Sequence, residues 1–143
     1  MLNLSIFMKL YDRHIYHKIK PEDKWEENCP FCDYESPSQK EIIIWRGEYF
    51  YVLHNKFPYL GLKTHLLAVP YRHICFTKDL SYEEFQDLKN VEQFVSEFYG
   101  STPYFSFIRE VGHYKSLNHL HYHFLPWEIT EDAIEEMLKN QWI

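Results

Sequence analysis

Glycine is nearly absent from this chain, with four in 143 residues. So few glycines exclude a flexible Gly/Ser linker, and each one marks a turn. Long apolar runs are missing as well, and none reaches the length of a membrane-spanning helix. Basic residues form no cluster, and the net charge is −6 with histidine neutral. That balance makes the chain a poor candidate for binding duplex nucleic acid through its phosphates, but leaves room for a small charged ligand held by a few placed groups. The opening residues, MLNLSIFMKLYDRH, lack a basic stretch before their short apolar run and lack a small-residue cleavage site. They are not expected to act as a signal peptide. Cysteine is limited to three residues, too few for a disulfide framework, and two of them stand in Cys29-Pro30-Phe31-Cys32. Without an export signal, this spacing points to a reducing, cytoplasmic compartment and to metal ligation, with two buried free thiols as the alternative.

What is abundant is apolar and aromatic. Hydrophobic residues make up 45% and aromatic residues 19%, enough for one folded domain with a real core. The order of elements follows from local pattern. EIIIWRGEYFYVLHN reads as two strands joined by a turn at Arg46-Gly47-Glu48. KFPYLGLK is a loop, and HLLAVP is a buried strand stopped by Pro70. From Ser81 to Tyr99, apolar residues recur at steps of three or four: Tyr82, Phe85, Leu88, Val91, Phe94, Val95 and Phe98. This is a helix, opened by a Ser81/Glu84 capping box and ended by Gly100. PYFSFIRE and HLHYHFLPW read as strands, and residues 130–141 as a second helix with acidic residues in its first turn. The 28 residues before Cys29 are a mixed lead-in, partly helical up to Pro21. Strands, helix, strands, helix in that order give an α+β domain with an antiparallel sheet.

The most informative stretch is HLHYHFLPW. His119, His121 and His123 are three of nine histidines and sit on alternate positions of a strand, so they share one face. Leu120, Tyr122 and Phe124 share the other, which can pack on helices. Imidazole is a neutral nucleophile near pH 7, a general base and a metal ligand. Neighbouring rings on one face can divide these tasks, one attacking phosphorus while another fixes a tautomer or handles a proton. The plainer reading is three tolerated histidines at a sheet edge.

Two segments beside this one narrow the choice. HLHYHFL, with its alternating histidines and apolar residues, resembles the signature of the histidine triad (HIT) family. LHNKFPYLGLKTHLLAVPYRH, residues 53–73, is similar to the family's upstream motif: Asn after a strand, an F-P-Y turn, then H-L-x-x-V-P-Y-R-H. Its wording is closest to the diadenosine tetraphosphate phosphorylase and hydrolase-like branch. CPFC resembles the family's N-terminal C-x-x-C, and the three segments occur in the family's order.

The resemblance implies a HIT-like fold over residues 29–143, with an antiparallel sheet of about five strands and two main helices, preceded by an extension over residues 1–28. It implies a nucleotidyl hydrolase or transferase, with His121 as the nucleophile on an α-phosphate and His123 bonding the phosphate or leaving group. Ser116 matches a hydroxyl that touches the scissile phosphate, and Asn55 a ribose contact. Phe31 and Leu53 match base-pocket positions. Read from the residues alone, Asn55 fits a turn and Phe31 and Leu53 fit core packing. The resemblance further implies a structural zinc ion held by Cys29, Cys32, His73 and His119, no organic cofactor, and a homodimer. His65 matches a family histidine that supports backbone, and Cys75 belongs to no motif.

The chain departs from the family where a Gly-rich loop usually ends in G-Q-S/T before the triad. Here the segment is REVGHYKSLNH, and Lys115 stands where Gln is usual. Lys115 serves either as a point charge on phosphate oxygens or as a solvated lysine. The loop after Tyr59 is about two residues longer than in the nearest branch, with Leu60 in place of a common Asn. Leaving-group specificity is therefore open. The alternative to an enzyme is a nucleotide-binding, zinc-bearing interaction module with little turnover.

Overall fold

The computed structural model describes residues 29–59, 62–108, 110, 119–128 and 130–139. The expectations for residues 1–28, His113, Lys115 and Ser116 lie outside these residues. Within them the chain runs through a one-turn helix α1 (Pro37–Lys40), strands β1 (Ile43–Arg46), β2 (Phe50–His54) and β3 (Leu66–Pro70), helix α2 (Tyr82–Tyr99), strands β4 (Tyr104–Phe107) and β5 (Tyr122–Pro126), and helix α3 (Glu131–Lys139). A 3-10 turn spans Thr77–Asp79 before α2. The five strands form one sheet in the order β1-β2-β3-β5-β4, and each neighbouring pair is antiparallel. This is the α+β architecture that the sequence pattern predicts.

The β1–β2 turn depends on an absent side chain. A Cβ on Gly47 would lie 2.4 Å from the Trp45 ring and 2.6 Å from Asp87 Oδ2. That oxygen accepts the N–H groups of Tyr49 and Phe50 at 2.8 and 2.9 Å, so a helix carboxylate caps the hairpin. Helix α2 starts with the expected capping box, in which Ser81 Oγ accepts the Glu84 N–H and Glu84 accepts the Ser81 N–H. It ends at Gly100, whose φ of 60° suits glycine.

The buried stripe of α2 differs from the apolar one in the sequence. Val91, Val95 and Tyr99 are buried with Glu84 and Asp87, while Tyr82, Phe85 and Phe98 are exposed. The two carboxylates tolerate burial because each is bonded, Asp87 to the hairpin and Glu84 to Arg72 at 2.7 Å.

The sheet has two unlike faces. On one, Phe50, Val52, Leu66, Ala68, Leu120 and Phe124 pack with Val91, Val95 and Tyr99 of α2. The other carries two smaller apolar clusters. Cys29, Phe31, Ile42, Tyr51, Leu53, Leu67 and Val69 form the first, and Tyr59, Leu62 and Leu125 the second.

The histidine segment is less regular than its alternation predicts, because β5 begins only at Tyr122, which pairs with Ala68. Continuing the ladder would bring Pro70 opposite Leu120, and proline has no N–H to donate. Instead the Leu120 N–H turns to the Ile74 carbonyl at 2.7 Å. His119 and His121 nevertheless stay on one face, since both rings lie against Phe31, at 5.7 and 5.3 Å between centroids.

Candidate active site and metal centre

Four ligand-type side chains converge at one end of the histidine row. The donor atoms of Cys29, Cys32, His73 and His119 all lie within 4.8 Å of one another. His119 Nδ1 is 3.4 Å from Cys29 Sγ, 3.5 Å from Cys32 Sγ and 3.1 Å from His73 Nδ1, and Cys32 Sγ is 3.2 Å from His73 Nδ1. A tetrahedral zinc with ordinary bond lengths has nitrogen–nitrogen edges of about 3.3 Å and nitrogen–sulfur edges of about 3.6 Å. The four side chains therefore fit such an ion.

The surroundings agree with this fit. His119 Nε2 is 2.7 Å from the Pro70 carbonyl, which can only accept, so the ring proton is on Nε2 and the Nδ1 lone pair points into the cluster. The knuckle is held from outside, with Tyr51 donating to the Phe31 carbonyl at 2.6 Å and Gln39 to the Pro30 carbonyl at 2.6 Å. Burial pushes the Cys29 thiol up to about 12 in the absence of a cation, and a bound metal ion would reverse that cost by ligating the thiolate.

His121 comes next along the row and is buried, with 6% of its surface exposed. Its Nδ1 lies 2.8 Å from the carbonyl of His119, so that nitrogen carries the proton and Nε2 carries the lone pair. A neutral imidazole in this tautomer is a nucleophile at Nε2. The next ring, His123, is set the other way. The Tyr59 N–H donates to His65 Nδ1 at 3.2 Å, which leaves the His65 proton on Nε2. That nitrogen is 2.8 Å from His123 Nδ1, so His123 carries its own proton on Nε2. Phe107 stacks on His123 at 4.5 Å and 4° between planes, and the Tyr59 ring runs nearly parallel to both. Two neighbouring rings 5.0 Å apart thus present opposite functions, a lone pair and a donor.

A family model described as scavenger mRNA decapping enzyme C-term binding matches residues 28–137. The chain belongs to that family and is a histidine triad protein. Solved structures share its fold. A hypothetical protein from Leishmania major aligns with a TM-score of 0.59 at 18% identity, covering 80% of this chain and 93% of that one. The diadenosine triphosphate hydrolase of Plasmodium falciparum, in complex with Cyclomarin A, gives 0.55 at 22%, covering 68% and 71%. A zinc-bound histidine triad family protein from Mycobacterium smegmatis gives 0.58 at 18%, covering 75% and 80%. No curated protein sequence matched.

In this histidine triad protein the described residues among those singled out from sequence lie near one another on one side of the sheet, while Lys115 and Ser116 are outside the described residues. Cys29, Cys32, His73 and His119 meet as one cluster. Phe31 packs beside His119 and His121, and Leu53 lies in the apolar cluster around Phe31. Asn55 is buried at the end of β2. Its Oδ1 accepts the Phe57 N–H at 2.9 Å, and its Nδ2 lies 3.3 Å from His65 Nδ1. Sequence reasoning gave His65 only a backbone role, whereas the structure brings it into contact with His123. The signal was available, because His65, Leu67, His123 and Leu125 share a face once β3 and β5 pair. Among the described residues, no helix is long and apolar enough to cross a membrane.

Proposed function

We propose that this protein cleaves a nucleotide at its α-phosphate through a nucleotidyl-histidine intermediate on His121. The observation that carries this is the 2.8 Å bond from His121 Nδ1 to the His119 carbonyl, which puts the ring's lone pair on Nε2. In the first step Nε2 bonds to phosphorus as the bond to the leaving group breaks, and the leaving group departs with the electron pair, a phosphate as its anion and an amine after taking a proton from solvent. The nucleotidyl imidazolium keeps its Nδ1 proton, and the carbonyl stabilises the charge. Water or phosphate then attacks phosphorus, and the electron pair returns to Nε2.

The other residues divide the binding work. His123 donates to the phosphate or the leaving group, and Ser116 and Lys115 contact phosphate oxygens. Asn55 retains a second lone pair on Oδ1 for a ribose hydroxyl, and Phe31 and Leu53 border the base. Cys29, Cys32, His73 and His119 would hold a zinc ion that fastens the N-terminal knuckle to the catalytic strand. With four protein ligands, such an ion would have no open position and would serve a structural role. The chemistry needs no organic cofactor. The same reading places the protein in the cytoplasm as a homodimer, with the exposed Phe85 and Phe98 on α2 as contact residues.

Dinucleoside polyphosphates and nucleoside phosphoramidates are the substrates in view. The names of the matched family and of the Plasmodium relative, a decapping enzyme and a diadenosine triphosphate hydrolase, support the first class. The test is turnover of diadenosine tetraphosphate with and without phosphate, a capped dinucleotide, and an adenosine phosphoramidate, in wild type and His121→Ala. Cleavage that disappears in the variant supports the reading, and dependence on phosphate separates a phosphorylase from a hydrolase. Equal rates in both proteins would remove His121 from the mechanism. No turnover of any substrate would favour the nucleotide-binding, zinc-bearing module.

A further inference from the structure

We infer that His65 is a positioning residue that locks His123 in its Nε2–H tautomer and so supplies the leaving group with a hydrogen-bond donor. The inference rests on the proposed cleavage for its purpose, and on geometry for its content. Two imidazoles meet at 2.8 Å, so one nitrogen must donate and the other accept. The direction is fixed from the far side. The Tyr59 backbone N–H can only donate, and it points at His65 Nδ1 from 3.2 Å. The Asn55 amide nitrogen lies 3.3 Å from Nδ1 and 3.4 Å from Nε2, so it favours neither nitrogen and the Tyr59 N–H sets the direction. His65 therefore donates from Nε2, and His123 accepts at Nδ1.

His65 and His123 are 2% and 1% exposed, so water does not compete for these bonds. The strand end and loop that set the direction are themselves closed by the Asn55 N–H on the His65 carbonyl at 2.7 Å and by the Asn55 turn onto Phe57. Order thus passes from the 55–59 loop through His65 to His123.

The consequence appears in the transition state. As the bond from phosphorus to the leaving oxygen breaks, negative charge grows on that oxygen. His123 Nε2–H donates a hydrogen bond to it, and no proton changes hands. The opposite tautomer would aim a lone pair at the same charge. Poor leaving groups, which carry more charge at that point, depend on the donor most.

The test uses the full chain and two adenosine 5′-phosphate aryl esters, one with a p-nitrophenyl and one with an unsubstituted phenyl leaving group. In His65→Leu, kcat for the phenyl ester falls at least about tenfold further than for the p-nitrophenyl ester. His65→Gln, which keeps an amide N–H for His123, recovers most of that difference. Equal losses on the two esters would mean that His65 only supports the fold, and would overturn the inference.

Nitrogen-15 shifts of the imidazole rings give a readout independent of turnover. Wild-type His123 is expected to show a protonated Nε2 and an unprotonated Nδ1, and a mixture of tautomers in His65→Leu. A wild-type His123 protonated at Nδ1 would overturn the inference without any kinetics. Failure of the wild type to cleave either ester counts against the proposed function instead, and the nitrogen shifts then decide the tautomer claim by themselves.

Discussion

The two faces of β5 are one residue apart in sequence and opposite in character. Phe124 is 2% exposed and sits among aliphatic and aromatic side chains under α2, held by packing alone. His123 is 1% exposed on the other face, and it is held by a directed bond to His65 and a stack on Phe107. Both positions are equally dry. Burial therefore does not separate the core from the site; what separates them is whether each buried atom has a direction. An apolar face tolerates small shifts at modest cost, whereas on the proposed mechanism the histidine face works only if each proton is on the correct nitrogen. Strand alternation makes both faces from the same five residues, and a register slip of one would exchange them.

Substitutions on the two faces should break the protein in different ways. His121→Ala, on the histidine face, should lower kcat by about 10⁴-fold or more while thermal unfolding stays near wild type. Steady-state kinetics and a melting curve on the same preparation check this. Phe124→Ala, on the packed face, should cost about 3–5 kcal/mol of stability in urea unfolding, with turnover per folded molecule largely kept.

The candidate metal-ligand cluster sharpens the comparison, because His119 belongs to both systems. Its ring joins the cysteines and His73, and its carbonyl sets the tautomer of His121. Purified protein should carry stoichiometric zinc by elemental analysis, and Cys29→Ser should lose it. Chelation should lower Tm by several degrees, the direction expected when a ligand that binds only the folded state is removed.

The smallest effect concerns Glu84, whose carboxyl is held below the usual range chiefly by Arg72. A carboxyl depressed in the folded state stabilises it above the unfolded pKa of about 4.3. That contribution is lost as pH falls through the folded value. Arg72 is about half exposed, so Arg72→Ala should cost about 1 kcal/mol or less at neutral pH. Stability of the two proteins should converge on acidification below about pH 4, as read by urea unfolding against pH.

Much of this is legible in the amino-acid sequence. The Arg46-Gly47-Glu48 turn, the Ser81/Glu84 capping box and the Gly100 cap are local signals, and each appears where its residues place it. Less legible were features that need a partner from elsewhere in the chain. Glu84 and Asp87 look like solvent residues until Arg72 and the hairpin amides meet them. The late start of β5 depends on Pro70, about fifty residues upstream. His65 reads as a loop-end histidine until β3 and β5 pair and bring it against His123. Lys115 and Ser116 lie outside the described residues, and their proposed phosphate roles rest on the family resemblance.

The central claim is that cleavage passes through two displacements at phosphorus, with His121 Nε2 attacking first. Each in-line displacement inverts the phosphorus centre, so two of them restore it. The most direct measurement is the stereochemical course with a substrate whose α-phosphorus is made chiral by sulfur and oxygen isotopes, cleaved in isotopically labelled water or phosphate. Net retention is the predicted result. Net inversion would mean a single direct attack by the acceptor, and would contradict the nucleotidyl-histidine intermediate.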